Sequence, residues 1–286
     1  MASNKSSTAV SLLEIDQESL RKREAIVARE TDEQIISRIK ERFVILDNMT
    51  TAVCRGDVRG MIVSGPPGVG KSFGVEAQLE KYELFNILTS RKPKYQVIKG
   101  NMSPLGLYAK LYEFSQSGNV IVFDDCDGLF FEDLSLNILK AALDSGERRW
   151  LNWNSDSRML RTEGIPNRFE FRGGAVFITN LQFAHIKSKR LKEHLAAIES
   201  RCHILDLSMS TIRERILRIR QVVAEENMLE KYEFDRAAEQ EVVDFIAANA
   251  HKMRELSLRM VLKVSDLRKA FPANWQSMAT MTCMTH

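Results

Sequence analysis

The chain has 286 residues, with 41 basic and 38 acidic side chains and a net charge of +3. That length holds one large domain or two modest ones with ample core, and so balanced a charge neither demands nor excludes a nucleic-acid partner. No run approaches the ~18 apolar residues of a membrane span, and Cys54, Cys126, Cys202 and Cys283 are scattered with no C-x-x-C pair, which argues against a zinc site or disulfide framework and for free thiols in a reducing cytosol.

The first stretch, Met1 to Val10, is polar and Ser-rich and lacks the apolar core of a signal peptide, so a cytoplasmic protein is expected. Met1 to Thr8 reads as disordered. Ser11 to Glu30 is charged, with Leu12, Ile15, Leu20 and Ile26 only loosely periodic. Residues 1–30 are therefore expected to form a flexible extension, with Arg21-Lys22-Arg23 on a solvated helix face. Thr31-Asp32-Glu33-Gln34 offers an N-cap and an acidic first turn, and Ile35, Ile36, Ile39 and Phe43 follow at helical spacing. A further helix around Asp47 to Val53 should end at Gly56.

Ser64-Gly65-Pro66-Pro67-Gly68-Val69-Gly70-Lys71-Ser72 contains G-x-x-x-x-G-K-[ST], the phosphate-binding P-loop. Glycines let successive backbone N–H groups turn inward on a polyphosphate. Lys71 is a point charge for the terminal phosphates, and the Ser72 hydroxyl is a ligand for Mg²⁺. Met61-Ile62-Val63 before the loop reads as a buried parallel strand, and Val75 and Leu79 after it have helical spacing. Strand, glycine loop, helix is the order this chemistry needs, because the helix N-terminus favours an anion.

Tyr95 to Ile98 is a predicted strand. Lys99 to Ser103 forms a turn, Pro104 starts a helix striped by Leu105, Tyr108, Leu111 and Tyr112, and Gly118-Asn119 closes it. Val120-Ile121-Val122-Phe123 is a second buried strand and runs into Asp124-Asp125. A carboxylate at that edge, about 50 residues after the P-loop, is placed to hold Mg²⁺ opposite Ser72. Asp125 stands where a water-activating base is needed, with about 1.5 Å less reach than a glutamate.

Leu134 to Asp144 is amphipathic and ends at Gly146. Arg148 to Trp153 and Phe169 to Arg172 read as the strands of an inserted β-hairpin with a long polar loop, packed on its own domain or touching a substrate through its arginines and aromatics. Ala175 to Thr179 is a third buried strand. Asn180 at its end either hydrogen-bonds water or the γ-phosphate, or caps the strand. Leu191 to Ile198 is helical, Ile204 to Leu207 is a strand, and Arg201 at the junction between them can project from the surface. From Thr211 the pattern is purely helical: Thr211 to Met228, Ala237 to Ala250, and Glu255 to Phe271 before Pro272. The expected architecture is α/β, a parallel P-loop NTPase sheet sandwiched by helices over residues 31–208, followed by a small all-α lid over residues 209–286.

Together these motifs resemble the AAA+ ATPase family over roughly residues 35 to 270. Gly65 to Ser72 matches Walker A, Val120 to Asp125 matches Walker B, and Asn180 matches sensor 1. Ser200-Arg201-Cys202 is similar to the clamp-loader motif whose arginine reaches a neighbour's nucleotide. Asp124-Asp125-Cys126-Asp127 aligns with the acidic box of that group, and Arg259 resembles the sensor 2 arginine, with Arg254 as a competitor. The chain is also similar to compact AAA+ proteins of tailed phages.

The resemblance implies an oligomeric ring that hydrolyses Mg-ATP to remodel or load a macromolecular partner, DNA or protein. In that picture Gly65, Pro66, Pro67, Gly68, Val69, Gly70, Lys71, Ser72 and Arg259 bind ATP, Ser72 and Asp124 hold magnesium, and Asp125, Asn180 and a neighbour's Arg201 are catalytic. Asp125 departs from the usual glutamate, which puts vigorous hydrolysis in question. Two other readings stand beside this one: a non-catalytic ATP switch or scaffold, and a DNA motor or loader with Arg148, Arg149, Lys187, Lys189 and Arg190 as phosphate contacts. A small-molecule kinase fits poorly with the long helical C-terminal region.

Overall fold

The computed structural model describes residues 24–89, 91–181 and 189–285. Its described residues fall into two compact units. One comprises Arg42–Gly65 and Lys71–Leu207; the other comprises residues 24–41, Pro66–Gly70 and residues 208–285.

Helix α1 (Asp32–Arg55) runs unbroken for 24 residues. Two helices were expected here, but Val44-Ile45-Leu46 contains no breaker, and buried Ile35, Ile39, Leu46 and Val53 keep one face continuous. Its start is a capping box: Gln34 N–H donates to Thr31 Oγ1 at 3.3 Å and Thr31 N–H to Gln34 Oε1 at 2.8 Å. The Arg21-Lys22-Arg23 cluster and the Met1 to Thr8 stretch lie outside the described residues. Val27, in the described end of the expected extension, is buried.

The α/β unit is built on β1 (Gly60–Ser64), α2 (Lys71–Leu88), β2 (Tyr95–Lys99), α3 (Pro104–Glu113), β3 (Val120–Asp124), α4 (Gly128–Phe131), α5 (Asp133–Ala142), β4 (Trp150–Asn152), α6 (Arg158–Thr162), β5 (Arg168–Glu170), β6 (Gly174–Thr179), α7 (Lys189–Glu199) and β7 (His203–Asp206). Five strands form one parallel sheet in the order β2-β3-β6-β1-β7. The three central strands are buried along their whole length, which is why they read as unbroken apolar runs. Their first polar side chains come at the carboxyl ends, where parallel sheets present ligands. A parallel sheet flanked by helices, with a glycine-rich loop after β1, is the expected α/β class.

Helix α3 stops at Glu113, well short of Gly118, because Phe114 turns into the core, its N–H donating to Lys110 O. The hairpin strands β4 and β5 pair antiparallel, with Leu151 opposite Phe169, both buried in the core cluster. The loop between them is not wholly irregular. Ser157 Oγ accepts from Leu160 N–H and starts α6, and Leu160 is fully buried. Arg149 overturns its reading as a phosphate contact. It is 7% exposed, donates to Ala142 O at 2.9 Å and Gly173 O at 3.0 Å, and lies over the Phe171 ring. Burial lowers its pKa to about 10. Its job is to tie the hairpin to the domain. The four cysteines carry no disulfide, and burial raises Cys54 and Cys126 to about 11 and Cys202 to about 12, far from a reactive thiolate.

The helical unit contains α8 (Ile212–Glu225), α9 (Arg236–Ala248), α10 (Leu258–Ala270) and α11 (Trp275–Cys283). Thr211 and Glu214 cap α8 reciprocally, and Asp235 and Ser257 cap α9 and α10. Helix α11 goes beyond the sequence reading, which stopped at Pro272. Trp275, Ala279 and Cys283, spaced four apart, are its buried face, and Trp275 meets Phe245 edge-on at 5.0 Å. No helix among the described residues is long and apolar enough to cross a membrane.

Candidate nucleotide-binding site

At the carboxyl edge of the sheet the neighbouring strands bring their terminal side chains together. Ser64 on β1 leads into the P-loop, and α2 begins at Lys71. Lys71 is 6% exposed; its ammonium donates to Gly65 O at 2.7 Å and to Asn180 Oδ1 at 2.8 Å. Asn180 Nδ2 donates to Asp125 Oδ1 at 2.9 Å. Only one amide orientation fits, since the ammonium can only donate and the carboxylate can only accept. Ser72 Oγ donates to Asp124 Oδ1 at 3.0 Å. Thus Lys71, Ser72, Asp124, Asp125 and Asn180 form one constellation, although more than 100 residues separate the first from the last.

Asp124 and Asp125 are adjacent but differently placed. Asp124 is 5% exposed, whereas Asp125 is exposed and has a left-handed backbone with φ +54°, its N–H donating to Ile178 O at 3.0 Å. That rare conformation lies at the turn directly after β3, where one carboxylate is buried and the next is exposed. Two residues on, Asp127 is raised above the usual carboxylate range, first by burial, against a lowering hydrogen bond from Thr179. Its Oδ1 is buried without a hydrogen-bond partner. Cys126, raised mainly by burial, is inert packing.

The donor set suits magnesium. A hydroxyl and a carboxylate oxygen, both hard ligands, stand together where a polyphosphate would supply further oxygens. No group of three or more His, Cys, Asp or Glu side chains able to cage a metal occurs among the described residues. Magnesium characteristically uses few protein ligands and keeps several waters. One residue of this edge was missed from sequence. Lys99, taken as part of a turn, ends β2 opposite Asp124 and places its ammonium 3.4 Å from Asp124 Oδ2 and 2.9 Å from Glu76 Oε1. The Glu76 hydrogen bond is the first cause of its raised pKa.

The tip of the P-loop, Pro66–Gly70, belongs to the helical unit. Pro67 is exposed, Val69 is buried, and Gly65, Gly68 and Gly70 all have positive φ. Gly68 has a double reason to be glycine. Its φ is +70°, and a Cβ there would stand 2.6 Å from Ser257 Cβ. Gly68 O accepts from Leu258 N–H at 2.8 Å, so the first turn of α10 packs on the loop tip. Arg259 is exposed on that turn. Arg254 Nε instead donates to Met284 O at 2.9 Å.

Arg201 does not project freely. It is half-buried at the end of α7, with Nη1 donating to Ala197 O at 2.6 Å and Ser200 Oγ at 3.3 Å, and with Nε buried without a partner. Of the other basic candidates, Arg148 is exposed, Lys187 lies outside the described residues, and the side chains of Lys189 and Arg190 are likewise not described.

No protein-family profile matches the chain. Over 255 residues it is 32% identical to the uncharacterized 36.7 kDa protein of the nrdC–mobD intergenic region of phage T4, covering 88% of this chain and 76% of that protein. The chain belongs to that phage protein's family. Among solved structures, this family member is similar to the replication initiator DnaA bound to AMPPCP and single-stranded DNA, with TM-score 0.49, 12% identity and 82% of the chain covered. It is also similar to Aeropyrum pernix Orc1 in complex with DNA (0.46, 14%, 81%) and to C. elegans PCH-2 (0.33, 12%, 96%). The chain spans 63% of the DnaA chain and 60% of the Orc1 chain. With every score below 0.5, these likenesses carry no argument about what the phage-family protein binds.

Proposed function

We propose that this protein is a Mg-ATP hydrolase of AAA+ type that assembles into a ring to remodel or load a macromolecular partner, DNA or protein. The observation that carries this reading is the hydrogen-bonded chain from Lys71 through Asn180 to Asp125, beside the Ser72–Asp124 pair. P-loop backbone N–H groups and the N-terminus of α2 would receive the polyphosphate. Lys71 would exchange Gly65 O and Asn180 Oδ1 for terminal phosphate oxygens. Ser72 and Asp124 would hold magnesium, which supplies neutralisation of phosphate charge when bound.

Asp125 is assigned as the base and Asn180 as the group that orients it. Water adds its oxygen to the terminal phosphorus, the bridging oxygen departs with ADP, and the water's proton passes to Asp125. Arg201 of a neighbouring subunit is assigned to the charge that spreads over the transferring group. Arg259 is assigned a further phosphate contact, since Arg254 already holds the Met284 carbonyl.

The test is Asp125→Asn. It should leave Mg-ATP binding intact and remove turnover. Unchanged turnover would move the base elsewhere and break the reading.

A non-catalytic ATP switch is the second reading, favoured by the short Asp125 and by an Arg201 turned onto its own helix. Tight ATP binding with near-zero turnover in assembled protein, whatever partner is added, would select it.

A further inference from the structure

We infer that Lys99 is a built-in counter-ion of the magnesium site, a positioning residue that competes with the metal for Asp124 and so sets how tightly the metal is held. This rests on the reading of Ser72 and Asp124 as the metal's protein ligands.

The parallel register of β2 and β3 sets Lys99 directly beside Asp124, and residues so paired leave the sheet on the same face. The two oxygens of Asp124 are divided. Oδ1 accepts from Ser72 Oγ at 3.0 Å, and Oδ2 faces the Lys99 ammonium at 3.4 Å. Glu76, one turn after Ser72 on α2 and hence on the same helical face, holds the other side of that ammonium at 2.9 Å. The arrangement is a row of alternating charge, Glu76, Lys99, Asp124, ending on the Ser72 hydroxyl.

An ordinary exposed lysine–carboxylate pair has little consequence. This one differs in its acceptor. The Asp124 side chain is 6% exposed and is the carboxylate the metal needs, while the Lys99 side chain is 62% exposed. A buried carboxylate with its negative charge already countered offers a weaker field to an arriving dication. The ammonium itself reaches in from solvent, so it can withdraw without leaving a buried charge behind.

The experiment uses the full-length protein with a non-hydrolysable ATP analogue and Mn²⁺ as a spectroscopic stand-in for magnesium, free Mn²⁺ being read by electron paramagnetic resonance. Lys99→Met should bind Mn²⁺ roughly 3- to 10-fold more tightly, and the gain should shrink as salt is raised, as expected for a charge open to solvent. Lys99→Arg, which keeps the charge, should stay within about 2-fold of wild type, and Glu76→Gln should weaken Mn²⁺ binding about 2- to 5-fold by leaving the ammonium to Asp124 alone. Lys99→Met binding Mn²⁺ no more tightly than wild type overturns the inference. If that variant loses affinity for the analogue itself, Lys99 is a phosphate contact instead. Asp124→Asn separates the two levels: equal Mn²⁺ affinity in Asp124→Asn and wild type brings down the magnesium reading, and the inference with it.

Discussion

The carboxyl edge of the sheet and the α7–β7 junction both carry candidate catalytic side chains, but they are prepared to different degrees. At the sheet edge, Lys71 and Ser72 already bind Asn180 and Asp124 within one chain. At the junction, Arg201 lies on the carbonyl of Ala197, with its Nε buried and unpartnered. The first region is complete in geometry before any ligand arrives. At the second, the guanidinium is engaged by its own helix and leaves one buried N–H unsatisfied, which carries a desolvation cost. The contacts of the sheet edge are thus made within the α/β unit, whereas the proposed role of Arg201 requires it to leave the Ala197 carbonyl.

The largest expected effect tests that contrast directly. If Arg201 serves a neighbour, Arg201→Ala should lower turnover by ~10³–10⁵ with little change in ATP affinity, and wild-type turnover per subunit should rise with protein concentration. Turnover that ignores both would make the junction purely structural. Lys71→Ala, at the prepared edge, should abolish measurable ATP binding in a fluorescent-nucleotide titration; retained binding would break the P-loop assignment. Asn180→Ala should lower turnover by about 10²–10³ while changing ATP affinity far less, as for loss of one preorganised polar group. Equal losses in both would mean that Asn180 acts on Lys71 and not on Asp125.

Two smaller effects concern stability. Arg149→Ala leaves two core carbonyls unpaired and should cost about 2–4 kcal/mol in denaturant unfolding. An unaffected midpoint would return Arg149 to the surface. Gly68→Ala should cost about 1–3 kcal/mol, from its positive φ and the close Ser257 Cβ.

Much of the site could be read in advance because its signals are local. Glycine spacing, a lysine and a hydroxyl in sequence, and an apolar run ending in a carboxylate need no partner to be recognised. Arg149 misled for the same reason: beside exposed Arg148 its sequence context was basic and polar, and only packing beneath the hairpin reveals a core residue. Helix α11 was passed over because Pro272 signalled an end, while its anchor, Trp275 against Phe245, joins residues 30 apart in the chain. The expected break in α1 failed where an exposed face of Val44 and Ile45 hid the continuity carried by buried Leu46.

By itself, then, the order of residues determined a P-loop between strand and helix, a second strand ending in paired carboxylates, and the change from alternating to all-helical pattern. These follow from backbone freedom and from the periodicity of apolar side chains, both of which act over a few residues. Tertiary structure alone decided that Asn180 links Lys71 to Asp125, that Lys99 stands over Asp124, and that Arg201 folds back on its own helix. Strand register and side-chain direction bring those atoms together, and both are settled by how distant segments bury one another.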